Sequence, residues 1–418
     1  MLRQVKLMQY IRRIIIISVI SFLIISITWI RGYSSEIKET TQDIQTTPEK
    51  IRWTWRKNFK DAEIRNLVMA WNGSRLLFSV REKNEKKGAD SGGDVIIGLE
   101  YTGKEIKDWR VEGKIRNLLL DGSGKGLLVE LEDGRLLFYS DWESDEKPLI
   151  MENAGAGATL SPNGKFIGVV RDSSKKNSVQ VLSSKGDLIQ DYTEGTGEAS
   201  KSPEKTTLKW QRISFPFIEN EKRFLRISDD GRLFLNDGDK LLWKANVEGS
   251  PIAVSSSILE GGILMVSISG EKEGIYFFNE KGELTGSAPL KGSASSLSCS
   301  NIGNICTAYG NSPKGQHISI YTPDGKNIGS YDVEEHADID SKVFAADKGN
   351  VIVAGIKDKG GWSIQALDSK GVPVWYAPIE GGLRDFSVSW NGKRIAVITE
   401  DGKVIFFQIG DESKQDSK

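Results

Sequence analysis

Three short stretches place an arginine in the same setting: EIRNLVM (63–69), KIRNLLL (114–120) and LRDFSV (383–388). Arg65, Arg116 and Arg384 each stand about seven residues ahead of a glycine-bearing turn, at the start of an apolar run. A guanidinium binds carboxylate or phosphate through a planar fork. The shared position therefore suggests an anion site; the alternative is that each arginine pairs with an Asp or Glu close by.

Other chemistry is sparse. The chain has two histidines, His317 and His336, too few for imidazole-based zinc or triad chemistry. His336 is flanked by Glu334, Glu335, Asp338 and Asp340. A hard cation would suit such a set, but acidic clusters in connections are mostly solvated, and no metal site is expected. Cys299 and Cys306 are the only cysteines and stand symmetrically about Ile302-Gly303. Opposed residues of a hairpin fall within disulfide range, so the alternatives are a bridge or two buried thiols. There is no nucleophile and base at recognisable spacing, so no catalytic residue can be named and no cofactor is expected.

The elements that must position the arginines follow from a repeat. AWNGSRLLFSV (70–80) and SWNGKRIAVIT (389–399) match in phase, with looser copies turning near Gly122, Asn163, Asn220, Gly261, Gly303 and Gly349. Eight turns over about 320 residues give seven intervals of roughly 46, within propeller-blade periods. Each unit carries two further turns, one near Asp133-Gly134, Asp230-Gly231 or Asp401-Gly402, another near Gly103, Gly186, Gly238, Gly282, Gly325 or Gly371. Three turns make four strands, and Asn-Gly and Asp-Gly predict type I′ hairpins, in which both central residues have positive φ.

The eighth unit supplies only three strands before the chain turns polar. RWTWRKNF (52–59) resembles the fourth strands elsewhere, LLWKANV (241–247) and VPVWYAPI (372–379). The expectation is that Trp55's segment pairs beside Phe406 and Phe407 and closes the ring, which removes exposed strand edges. With blade eight beside blades one and two, the three arginines would form an arc at one mouth of the central channel. Most of the 11 tryptophans fall at blade ends, where they should dock one blade on the next.

The predicted class is thus all-β, an eight-bladed β-propeller over 51–410, or seven-bladed if one long unit is an insertion. The W-N-G-x-R turns and S-P-N-G-K (161–165) resemble WD-type repeats, and the Gly371-to-Trp375 spacing resembles quinoprotein-type repeats. This resemblance to the β-propeller superfamily implies architecture rather than activity.

Residues 1–13 are basic, and residues 14–30, IIIISVISFLIISITWI, carry no charge over 17 residues. At helical rise that is roughly 26 Å, close to a bilayer's hydrocarbon thickness. The charge bias predicts a single membrane-spanning helix with the N-terminus cytoplasmic and the propeller extracytoplasmic; a cleaved signal peptide is the alternative. Residues 31–50 read as a flexible tether and 411–418 as a disordered tail. The first 35 residues hold five basic and no acidic side chains, leaving 51 basic against 57 acidic beyond, which argues against nucleic-acid binding.

Tight turns are expected at the face where the tether arrives, and longer loops at the other, at 82–93, 171–177, 191–207, 269–274 and 310–316. The expected function is a non-enzymatic, membrane-tethered scaffold whose distal face meets a protein or an anionic envelope polymer. The alternative is a small-ligand or enzymatic propeller, quinoprotein-like or glycan-acting, with its site at the loop-side mouth.

Overall fold

The computed structural model describes residues 51–59, 62–82, 93–152, 157–173, 176–193, 210–215, 223–257, 263–269, 273–289, 294–312, 315–332, 338–347 and 351–409. Thirty-two strands among them form eight four-stranded antiparallel sheets. Seven are consecutive in sequence, from β2 (Ala62–Met69) through β5 (Glu105–Arg110) in blade one to β26 (Asp338–Ala345) through β29 (Pro373–Ile379) in blade seven.

Blade eight is assembled from both ends of the described chain: β30 (Leu383–Val388), β31 (Arg394–Thr399), β32 (Lys403–Ile409) and, outermost, β1 (Ile51–Asn58). Its register sets Trp55 opposite Phe406 and Trp53 opposite Phe407, with a bulge between the tryptophans. The expected closure is therefore the one observed. The Trp55 ring stacks on Phe406 at 5.4 Å and 7°, and its indole N–H donates to the Tyr101 carbonyl of blade one at 2.8 Å.

The core lies between blades. Each sheet buries apolar side chains on both faces, so Trp55, Phe406 and Ala396 of blade eight share one cluster with Ile64, Leu76 and Phe78 of blade one. Such a series of thin contacts lets a long chain bury apolar surface without one oversized core. Tryptophans dock neighbouring blades as expected: Trp109 of blade one stacks on Trp142 of blade two at 5.8 Å, and Trp243 donates to the Glu280 carbonyl. Trp142 sits on the connection between β8 (Leu136–Tyr139) and β9 (Leu149–Met151), and a Cβ on Gly98 would come within 2.3 Å of its ring.

Turn chemistry differs from expectation. Gly73 and Gly392 have φ of +70° and +71°, but Asn66 is the sole non-glycine with positive φ among the described residues, so the Asn-Gly hairpins are not type I′. Instead the Gly73 amide bonds to the Ala70 carbonyl at 2.8 Å, closing a type I turn that is followed by the left-handed glycine. The asparagine side chain favours this form, because Asn72 Oδ1 accepts the Ser74 amide at 2.9 Å and Asn391 Oδ1 the Lys393 amide at 3.0 Å.

Two expected loops are also strand. Residues 171–177 belong largely to the hairpin of β11 (Phe166–Ser173) and β12 (Lys176–Ser183). Residues 310–312 and 315–316 belong to that of β23 (Cys306–Ser312) and β24 (Gly315–Tyr321), and 313–314 lie outside the described residues. Their ladders run to Ser173 opposite Lys176 and Ser312 opposite Gly315. Polar sequence does not end a hairpin while its backbone groups can still pair.

Innermost strands run from the face of the second turns and blade connections toward the face of the first and third turns. Ile51 pairs with Ile409 at the latter, the narrow-turn face. Among the described residues no helix is long and apolar enough to cross a membrane; the run 14–30, the tether 31–50 and the tail 411–418 lie outside them.

Candidate functional site at the channel mouth

A cavity of about 440 Å³ opens at the end of the channel remote from Ile51, and Arg65, Arg116 and Arg384 all line it, joined by Lys342, Asn66 and Asp385 among others. The three arginines predicted to form an arc thus do share one space. They come from blades one, two and eight, and Lys342 extends the arc to blade seven. Lys342 was missed in the sequence although it carries the same signal, standing seven residues before Gly349.

A repeated backbone device aims these side chains. Arg116 is the extra residue of a bulge between Ile115 and Asn117, and Arg384 that of a bulge between Leu383 and Asp385. Arg65 opens a wider irregularity ending at Val68, and Lys342 lies inside one between Ile339 and Val343. A bulge inserts one residue against the ladder and re-aims its side chain, which suits a barrel rim. In blade one the bulge is held by Asn66 at φ +53°, whose amide donates to Ser79 Oγ at 3.1 Å, while that hydroxyl donates to the Arg65 carbonyl at 3.2 Å.

Carboxylates stand among the cations, so local pairing and a shared cavity occur together. Glu63 Oε2 accepts from Arg65 at 2.7 Å, and its other oxygen accepts from Arg384 of the neighbouring blade. Arg116 donates to Glu130 Oε1 and to the Glu132 carbonyl, each at 3.1 Å. Lys342 pairs with Asp385, which also accepts the Leu67 amide at 3.1 Å and so ties blade eight to blade one. Burial pushes the Glu63 carboxyl up, but the hydrogen bonds and charges of Arg65 and Arg384 outweigh it and hold the group below its ordinary value.

Behind this layer lies a closed ion pair of another kind. Arg81 donates through both Nε and Nη2 to Asp94, each at 2.8 Å, and to Glu132 at 3.1 Å. Asp94 in turn accepts the Ile115 amide at 2.7 Å, fixing the residue next to Arg116. Asp94 is 3% exposed and Arg81 15%, whereas Arg65, Arg384 and Arg116 are 37%, 33% and 44% exposed. Arg81 is a brace; the three outer arginines face the cavity.

The remaining candidates lie elsewhere. Cys299 and Cys306 oppose one another across the hairpin of β22 (Ala294–Cys299) and β23 as buried free thiols, with sulfurs 2.7 Å apart. The hydrogen bond with Cys299 and burial push the Cys306 thiol well up. His317 is buried in β24. His336, Glu334 and Glu335 lie outside the described residues, as do the side chains of Asp338 and Asp340. Among the described residues no group of three or more His, Cys, Asp and Glu is placed to hold a metal.

The described residues fold as an eight-bladed β-propeller, and solved propellers share that architecture. BamB from Moraxella catarrhalis superposes with a TM-score of 0.54 at 15% identity, over 86% of this chain and 99% of that one. Sqt1 from Chaetomium thermophilum superposes at 0.59 and 14% identity, over 85% and 97%, and has also been solved bound to the N-terminus of ribosomal protein L10. The C-terminal WD40 domain of Sif2 matches at 0.57 and 11% identity, over 84% and 99%. No protein-family model and no curated protein sequence matches the chain.

Proposed function

We propose that this chain is a non-enzymatic protein-interaction scaffold, tethered to a membrane by residues 14–30, with its propeller on the extracytoplasmic side and its arginine mouth turned toward a partner. The observation that carries the reading is the placement of the mouth: four cationic side chains from consecutive blades line a cavity at the face opposite Ile51. Rigid scaffolds commonly carry recognition on such rims, and Sqt1, a structural neighbour, is seen with a bound protein segment. A protein is the favoured occupant; an anionic envelope polymer is the other anionic candidate.

Photo-crosslinking residues placed at Lys342 and Glu132 on the mouth, and at Lys125 and Lys165 on the narrow-turn face, test the orientation in the native membrane. The expected result is one defined protein adduct from the mouth positions, identified by mass spectrometry, and none from the narrow face. Adducts confined to Lys125 and Lys165 would refute it. Protease added to the extracytoplasmic side should digest the propeller; protection there would refute the topology.

A further inference from the structure

The arginines of the mouth are not all used alike. Arg81 has its fork filled by both oxygens of Asp94. Arg65 and Arg384, by contrast, each bond to Glu63 through a single terminal nitrogen, so one carboxylate serves two guanidinium groups from adjacent blades. A guanidinium has five N–H donors in a fixed fork, and both groups are about one-third exposed beside a 440 Å³ cavity, within the size range of ligand pockets. Glu63 therefore stands where an incoming carboxylate would bind and satisfies the pair only in part.

Resting on the scaffold reading above, we propose that the mouth grips an acidic peptide segment, and that Glu63 is a built-in competitor which the segment's carboxylates displace from Arg65 and Arg384. Arg116 and Lys342 flank the displaced pair on blades two and seven, so the occupant must carry several charges spread along a chain rather than one compact anion. Every side chain that bonds Arg65, Arg116, Arg384 or Lys342 among the described residues is itself a carboxylate, on Glu63, Glu130 or Asp385. Glu63 differs from the other two in being shared. In Glu63→Gln the single amide oxygen still accepts from one arginine while the amide NH2, itself a donor, faces the other, so both guanidinium groups remain but the competing charge is gone.

The test measures fluorescence anisotropy of a labelled glutamate-rich peptide, and of its glutamine counterpart, on the full-length chain. The glutamate peptide should bind saturably and the glutamine peptide should not. Glu63→Gln should tighten binding roughly threefold, the scale of one partly exposed charge pair. Arg65→Ala with Arg384→Ala should weaken it about tenfold or more, with the melting profile and circular dichroism showing that the propeller is intact. Weaker or unchanged binding by Glu63→Gln would overturn the competitor role. Equal displacement of the peptide by inorganic phosphate, or tighter binding of a phosphate-rich polymer, would overturn the acidic-peptide assignment. Failure here is separable from failure of the scaffold reading: if mouth crosslinks persist in the double alanine variant, a partner binds there without carboxylate recognition.

Discussion

Replacing Trp55 by alanine tests whether the ring is held by the strand that joins its two ends. The indole is 9% exposed, stacks on Phe406 within its own blade, and reaches into blade one, where a Cβ on Gly103 would come within 2.9 Å of it. Truncating a buried Phe or Trp to alanine costs about 3–5 kcal/mol, and losing the hydrogen bond to Tyr101 adds about 1 kcal/mol. The slight exposure of the ring argues for the lower half of that sum, about 4 kcal/mol. Over 51–409 an unfolding entropy of about 2.1 cal/mol/K per residue totals roughly 0.75 kcal/mol/K, so the melting temperature should fall by about 5 °C. Trp55→Phe keeps a stacked ring and loses only the N–H bond, so it should fall by about 1–2 °C. Thermal melts of the full chain give the shifts, and hydrogen exchange locates them. Amides of β1 and of β2 should lose protection in Trp55→Ala while those of β19 (Ile263–Ser269), half a ring away, should not. A Trp55→Ala chain that melts within a degree of wild type, with β1 still protected, would refute the view that this side chain locks closure.

Three further outcomes follow from named contacts. Asp94→Asn should destabilise the propeller by about 3 kcal/mol in urea titration, because it strands the Arg81 fork in a largely buried site; a change below about 1 kcal/mol would show that the brace is dispensable. Glu63 has its pKa lowered by folding, so it binds fewer protons than in the unfolded chain, and its contribution is present above the ordinary value of 4.5 and lost as pH falls through the lower folded value. Urea titrations over that acid range should show Glu63→Gln with a shallower loss of stability than wild type, and equal slopes would contradict it. Because the Cys306 pKa is raised and the group is buried, the native thiol should be alkylated by iodoacetamide at pH 8 at least about tenfold more slowly than in urea, read by mass spectrometry. Equal rates would mean that the β22/β23 hairpin opens freely.

Much of this molecule was legible in one dimension because a blade is a local object. Asn-Gly and Asp-Gly turns recur at nearly constant spacing, and the alternating apolar runs between them bury on both faces. The fourth-strand pattern of residues 52–59 marked the missing strand of the eighth unit. The same regularity brought Arg65, Arg116 and Arg384 to one place, since equal distance from equal turns means equal height along the channel. The same spacing, counted back from Gly349, points to Lys342. The form of the Asn-Gly turn departs from expectation because the asparagine Oδ1 accepts a backbone amide two residues on, which lets the glycine alone take the left-handed conformation.

What the sequence by itself determined is the repeat, the four strands of each unit, the closure of the ring and the height of the cations; the structure decided for eight blades over seven. Tertiary structure alone decided how those cations are used. A bulge shifts the inward and outward phase by one residue, which alternation in the sequence does not reveal. Glu63 and Arg384 meet across 321 residues only because the ring closes between blades eight and one, and Trp142 finds Gly98 only because two blades stack. Such contacts depend on the relative placement of sheets, and that placement is fixed by the whole circle of inter-blade packing rather than by any one segment.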